Sequence, residues 1–157
     1  MNGIARYAPG TARVLLGLIF FVLGLNGFLR FLPMPPPPAA AMAFFGALLQ
    51  TGYMFPLIKG TEVIAGTLLL SNRFVTLALA VLAPIVVNIV AFHAFLAPSG
   101  GGAAYLALVL ELYLAWSYRD AYRPMLAARP PLAGAPRADA AGPPAAWRGS
   151  HEHSTAE

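Results

Sequence analysis

The chain has 157 residues, of which 59% are hydrophobic and only 10% charged, with a mean hydropathy of +0.68; a soluble domain carries about 25% charged residues, so the composition is that of a membrane protein. The formal charge of +4 and the pI near 9.9 come from single arginines spread along the chain, without the basic cluster or interleaved aromatics of a nucleic-acid-binding protein. Cysteine is absent, which excludes disulfides, thiolate metal sites, iron–sulfur clusters and thiol exchange, so any redox role needs a bound cofactor or a partner.

A short polar lead carries Arg6 and Arg13, and residues 14–32 follow as the first predicted spanning helix. Arginines ahead of an apolar run, with Ala39, Ala40 and Ala41 as a cleavage-like site, also fit a signal peptide. Nineteen residues exceed the usual signal core, so the segment is read as an anchor. Pro33 and the run Pro35, Pro36, Pro37, Pro38 end the helix, because proline lacks the amide hydrogen and fixes an extended backbone.

Residues 39–70 are again almost wholly apolar, but 32 residues are too few for two crossings of about 17–20 residues each and a turn. One span is expected at 55–70. It is preceded by a short helix over 40–51, interfacial or re-entrant, with Thr51, Gly52 and Tyr53 as its turn. After the polar turn Ser71, Asn72, Arg73 comes the longest apolar run, 74–97, interrupted only by Thr76, Asn88 and His93 and about 35 Å long at 1.5 Å per residue. Pro84 is expected to kink it. A glycine turn leads to a fourth span at 103–118, which contains Glu111 and ends in the aromatic belt Trp116, Tyr118 and Tyr122 with Arg119 and Arg123. Residues 1–126 therefore form the expected membrane domain. Residues 127–157 hold 10 alanines and 5 prolines, cannot bury a core, and are expected to be a disordered tail.

For this four-span model, Arg6, Arg13, Arg73, Arg119, Arg123, Arg129, Arg137 and Arg148 fall on one side and only Arg30 and Lys59 on the other. The positive-inside bias makes both termini cytoplasmic and turns the proline loop outward.

Arg13, Gly17, Phe20, Gly24 and Phe28 are spaced as RxxxGxxFxxxGxxxF in the first span, Glu62, Gly66 and Leu69 as ExxxGxxL in the second; the third ends in FHAFLAP and the fourth in WSYRDAY. In this order, with a proline-containing first loop, they resemble the DoxX-like family of small bacterial four-helix membrane proteins over about residues 11–124. The resemblance implies a four-helix bundle in the bacterial inner membrane. For some members it also implies association with membrane redox complexes such as quinone-linked thiosulfate oxidation, with a membrane or periplasmic redox partner. No self-contained catalytic motif is visible.

Polar groups inside the spans are the candidate site. An acidic side chain at a helix centre costs about 2.5–3.5 kcal/mol on insertion scales, so Glu62 and Glu111 are expected to face inward. At 1.5 Å per residue Asn26 lies about 9 Å from the outer end of its span, Glu62 about 11 Å, Asn88 about 14 Å and Glu111 about 12 Å, which predicts one polar layer in the outer half of the bundle. Arg30 and Lys59, each one turn above a layer residue, are the expected cations. Three readings stay open. The first is a structural network fixing helix register; the second is an outer-leaflet pocket for a quinone headgroup or another amphipathic ligand; the third is a proton path.

His93 lies about 140° around its helix from Asn88, and so is expected to point away from the layer's centre, bonded to a headgroup or loop carbonyl. Its functional reading is a hydrogen-bond donor to a quinone carbonyl, or an oligomer contact. His93 is not read as a haem ligand, as no second intramembrane histidine exists, and His151 and His153 in the tail are read as solvated rather than metal-binding. Gly17 and Gly24 share a face and are expected to pack against a neighbouring helix.

Overall fold

The computed structural model describes residues 3–34, 36–123 and 125, so the alanine- and proline-rich segment 127–157, with His151 and His153, lies outside the described residues. Six helices follow one another: α1 (Gly3–Leu29), α2 (Ala39–Gln50), α3 (Met54–Leu70), α4 (Val75–Phe95), α5 (Gly102–Ser117) and the single turn α6 (Arg119–Tyr122). No strand occurs among the described residues.

Two helices are long and apolar enough to cross a membrane, Tyr7–Leu29 within α1 and Val75–Phe95, with mean hydropathies of 2.0 and 2.5. α3 and α5 are shorter, at 17 and 16 residues. α2 and α3 pass the same test only as a pair, bent by 94° at the break Thr51, Gly52, Tyr53. The surface agrees: Leu15, Leu18, Ile64, Leu77, Val87, Val109 and Leu112 are exposed, while Glu62 and Glu111 are buried. Apolar outside with ionisable inside is the arrangement of a helical membrane protein, whose surroundings are lipid.

α1 packs on α3, α3 on α4, α4 on α5 and α5 back on α1, so the four long helices close a ring. Leu16, Phe20, Leu69, Leu79, Leu82, Val86 and Leu114 fill its centre, with Ala12, Ala65, Ala78 and Ala107 where backbones approach. The closest approach is between α1 and α3. A Cβ on Gly66 would stand 2.6 Å from the Phe21 amide nitrogen, and one on Gly24 2.9 Å from the Val63 side chain. Without a hydrophobic drive between helices in lipid, close van der Waals contact of this kind holds them together. Gly17 and Gly24 therefore have the packing role their spacing predicts.

Helix ends explain where sequence boundaries and structure differ. α1 stops at Leu29 rather than 32, because Arg30 adopts the left-handed conformation (φ 50°) and the Asn26 carboxamide oxygen accepts from the Leu32 amide at 2.7 Å. It also begins well before residue 14, at Gly3. The end of α3 is a Schellman cap: Asn72 is left-handed, its amide donates to Leu69 O, and the Arg73 amide donates to Leu68 O. Arg13 reaches across from α1 and donates to the Leu69 carbonyl, with Leu70 O at 3.5 Å. The guanidinium thereby adds a side-chain donor to the Leu69 carbonyl, which already accepts from the Asn72 amide, and ties α1 to the end of α3. α4 runs unbroken through Pro84.

Gly66→Ala is expected to destabilise the bundle by about 1–3 kcal/mol, since the methyl meets backbone that has nowhere to move. Gly60→Ala on the same helix, where a Cβ meets nothing within 4 Å, should be neutral or stabilising by up to about 1 kcal/mol. Thermal unfolding of both variants in one detergent checks the pair.

Candidate functional site

One end of the ring encloses a cavity of about 400 Å³, within the range of about 300–1,000 Å³ typical of small-molecule pockets. Each long helix contributes a stretch of wall, among them Phe20 and Leu23 of α1, Ile58 and Glu62 of α3, Asn88 and Ile89 of α4, and Ala104 and Ala107 of α5. α2 closes it from the side. Because α2 turns 94° from α3, Phe44 and Phe45 reach over the cavity and pack on Phe92 of α4, with ring centroids 5.6 Å and 5.1 Å from it.

Five of the seven predicted site residues line this cavity: Asn26, Lys59, Glu62, Asn88 and His93. Glu62 is 2% exposed, and Lys59 holds both its oxygens, with Nζ donating to Oε1 at 3.0 Å and Oε2 at 2.8 Å. Residues three apart on a helix are neighbours, so the pair needs no tertiary help to form. It does need room. A Cβ on Gly27 would fall 2.6 Å and 2.7 Å from the Lys59 Cδ and Cγ, so α1 leaves its face bare where the lysine stem crosses. Asn26 faces the cavity while its carboxamide oxygen is bound to the Leu32 amide. Asn88, on the opposite wall, is exposed.

His93 corrects the helical-wheel expectation. It stands on the same cavity wall as Asn88, because the cavity is wide enough for α4 to present two faces to it. Its predicted bond to a loop carbonyl is present: Nδ1 lies 3.1 Å from Ala97 O, just past the end of α4. The Phe92 ring meets the imidazole edge-on at 5.3 Å.

Two predicted members do not join. Arg30 was expected to compensate the carboxylates, but its left-handed backbone takes it off the α1 helical path, where it is exposed and makes no ion pair among the described residues. Lys59 takes that role alone. Glu111, expected at the same level as Glu62, is 5% exposed but lies outside the cavity wall, one turn beyond Ala107. Neither of its carboxyl oxygens has a hydrogen-bond partner among the described residues. The predicted single polar layer is therefore a paired acid in a cavity and an unpaired acid below it. Sequence reasoning missed Gly27 and the Phe44, Phe45, Phe92 wall; the FF pair in the short helix and the phenylalanine beside His93 were the available signal. It also missed the capping role of Arg13.

Among the described residues no group of three metal-ligating side chains comes together. Comparison with protein-family models, curated proteins and solved structures yields no match.

The two acids predict opposite responses to the same substitution. Glu62→Met strands the Lys59 ammonium and should cost about 3 kcal/mol, the lower end for a broken buried pair because a fifth of the lysine side chain is accessible. Glu111→Met removes a polar group that satisfies nothing and should stabilise by about 1–2 kcal/mol. Thermal unfolding in detergent separates them by sign.

Proposed function

We propose that the chain is a four-span membrane protein of the DoxX-like kind whose cavity holds a small amphipathic molecule with a polar ring headgroup, quinone-like in class. The observation that carries this reading is the cavity itself. Its apolar and aromatic walls converge on a few polar groups, Lys59, Glu62, Asn88 and His93, which is the composition of a small-molecule site. A network whose only task was to fix helix register would be closed and dry. Here Asn88 is exposed and Lys59 partly so, leaving polar atoms for a ligand. A purely scaffolding membrane subunit of a redox-associated complex, the other reading of the sequence resemblance, draws on no side-chain arrangement among the described residues. The ligand-binding reading is compatible with such a complex, the cavity being where a periplasmic or membrane redox partner would meet a shared quinone.

In this proposal α3 and α5 are the second and fourth crossings. Their 17 and 16 residues are short for a hydrocarbon core of about 30 Å; local thinning and the aromatic belt after α5 accommodate the difference. Both termini face the cytoplasm of a bacterial inner membrane, and the cavity opens toward the outer leaflet, on the strength of the arginine asymmetry.

Two measurements test the proposal. Protein purified in mild detergent and extracted with organic solvent should release a stoichiometric amphiphile detectable by mass spectrometry. Ala103→Trp, which places a large side chain at an exposed position on the cavity wall, should reduce that yield about tenfold while the protein stays folded. Equal extraction from both refutes the cavity as the binding site. For topology, the cysteine-free parent allows single cysteines at the exposed Ala39 and Ser99. These should label with an impermeant maleimide from outside, and Ser71→Cys only after the membrane is opened; the reverse pattern overturns the orientation.

A further inference from the structure

The polar groups of the cavity do not all ask the same thing of a ligand. The Glu62 oxygens both accept from Lys59, and the Asn26 carboxamide oxygen accepts from the Leu32 amide. That leaves an ammonium hydrogen of Lys59 and the carboxamide NH2 of Asn88 as donors to an oxygen on a ligand. His93 differs. Its Nδ1 sits 3.1 Å from the carbonyl oxygen of Ala97, and a carbonyl oxygen can only accept, so Nδ1 carries the hydrogen. In a neutral imidazole the other nitrogen, Nε2, is then a bare acceptor.

The carbonyl that sets this tautomer is itself fixed. Ala97 is 5% exposed and its amide donates to Phe92 O at 3.1 Å, while the Phe92 ring holds the imidazole edge-on. Gly101 lets the following turn close on the same place: a Cβ there would lie 3.3 Å from the His93 Cβ. Five residues along α4, His93 and Asn88 stand about 7 Å apart on the helix axis.

Resting on the proposed ligand-binding reading, we infer that His93 recognises a hydroxyl: Nε2 accepts a hydrogen bond from a ring O–H of the ligand, so the cavity selects a phenol or hydroquinone headgroup over the ether or quinone of the same shape. This reverses the donor role that the sequence assigns to His93. Lys59 and Asn88 then serve any second oxygen on the ligand as donors, and the aromatic wall of Phe44, Phe45 and Phe92 receives the ring face.

Two experiments decide it. In full-length protein carrying His151→Gln and His153→Gln, His93 is the sole histidine, and nitrogen NMR of the labelled imidazole in nanodiscs should show a protonated Nδ1 and an unprotonated Nε2. A protonated Nε2, as the other tautomer or as imidazolium, overturns the inference. In the second, an alkyl phenol and its methyl ether are titrated into nanodiscs holding the wild-type protein. The phenol should bind about tenfold more tightly, the worth of one well-made hydrogen bond, and His93→Phe should reduce the ratio to about twofold or less. Equal binding of both ligands to wild type overturns the hydroxyl inference and leaves the cavity reading standing, whereas binding of neither overturns both. A preference that survives His93→Phe also overturns it, because the hydroxyl is then read elsewhere. The comparison within wild type decides the matter even if that variant does not fold.

Discussion

The contact between the backbones of α1 and α3 is what the rest of the bundle is built on. In lipid there is no hydrophobic force to press helices together, so the gain must come from atoms in contact, and Gly66 against Phe21 with Gly24 against Val63 brings the two main chains within van der Waals distance. Both ends of that seam carry a long cation from one helix across to the other or along it. At one end Arg13 of α1 covers the last carbonyls of α3; at the other Lys59 of α3 lies over the bare face at Gly27. Glu62 and Lys59 lie beside this seam and line the cavity that α4 and α5 complete.

The treatment of the two acids follows from this geometry. Glu62 sits on the seam helix three residues from a lysine whose path has been cleared, and becomes one half of a bidentate pair at the base of the cavity. Glu111 sits on α5 between the core residues Ala107 and Leu114, and its carboxyl oxygens have no hydrogen-bond partner among the described residues. A single lipid-embedded domain thus holds one carboxyl whose charge is shared and one that is alone, a separation of environments that, in proteins generally, divides roles between chemically identical groups.

Chain punctuation made most of the fold legible. The proline run, the Thr51, Gly52, Tyr53 break and the polar turn at Ser71 placed the helix ends within a few residues, because each acts through its own backbone. The length of α1 toward the N-terminus was not legible, since its first residues carry no apolar stripe. The site was legible in depth but not in direction. Rise per residue put Asn26, Glu62 and Asn88 at a common level, and all three line the one cavity. The same arithmetic failed for Arg30, which had left the helix it was counted on, and for Glu111, which lies one turn beyond the cavity wall at Ala107. Azimuth on a spanning helix depends on which neighbours it packs against, and one sequence does not contain that information.

The right-angle bend between α2 and α3 has a consequence for how the cavity is reached. With α3 upright in the bilayer, α2 lies flat along its surface, showing Met42 and Leu49 outward while Phe44 and Phe45 cover the cavity. On the proposed ligand-binding reading, a guest that passes between α2 and the bundle would come from the leaflet by sideways diffusion. Occupancy would then follow the mole fraction of the guest in the membrane, and two molecules with the same headgroup but different tails would differ in apparent affinity by their partitioning.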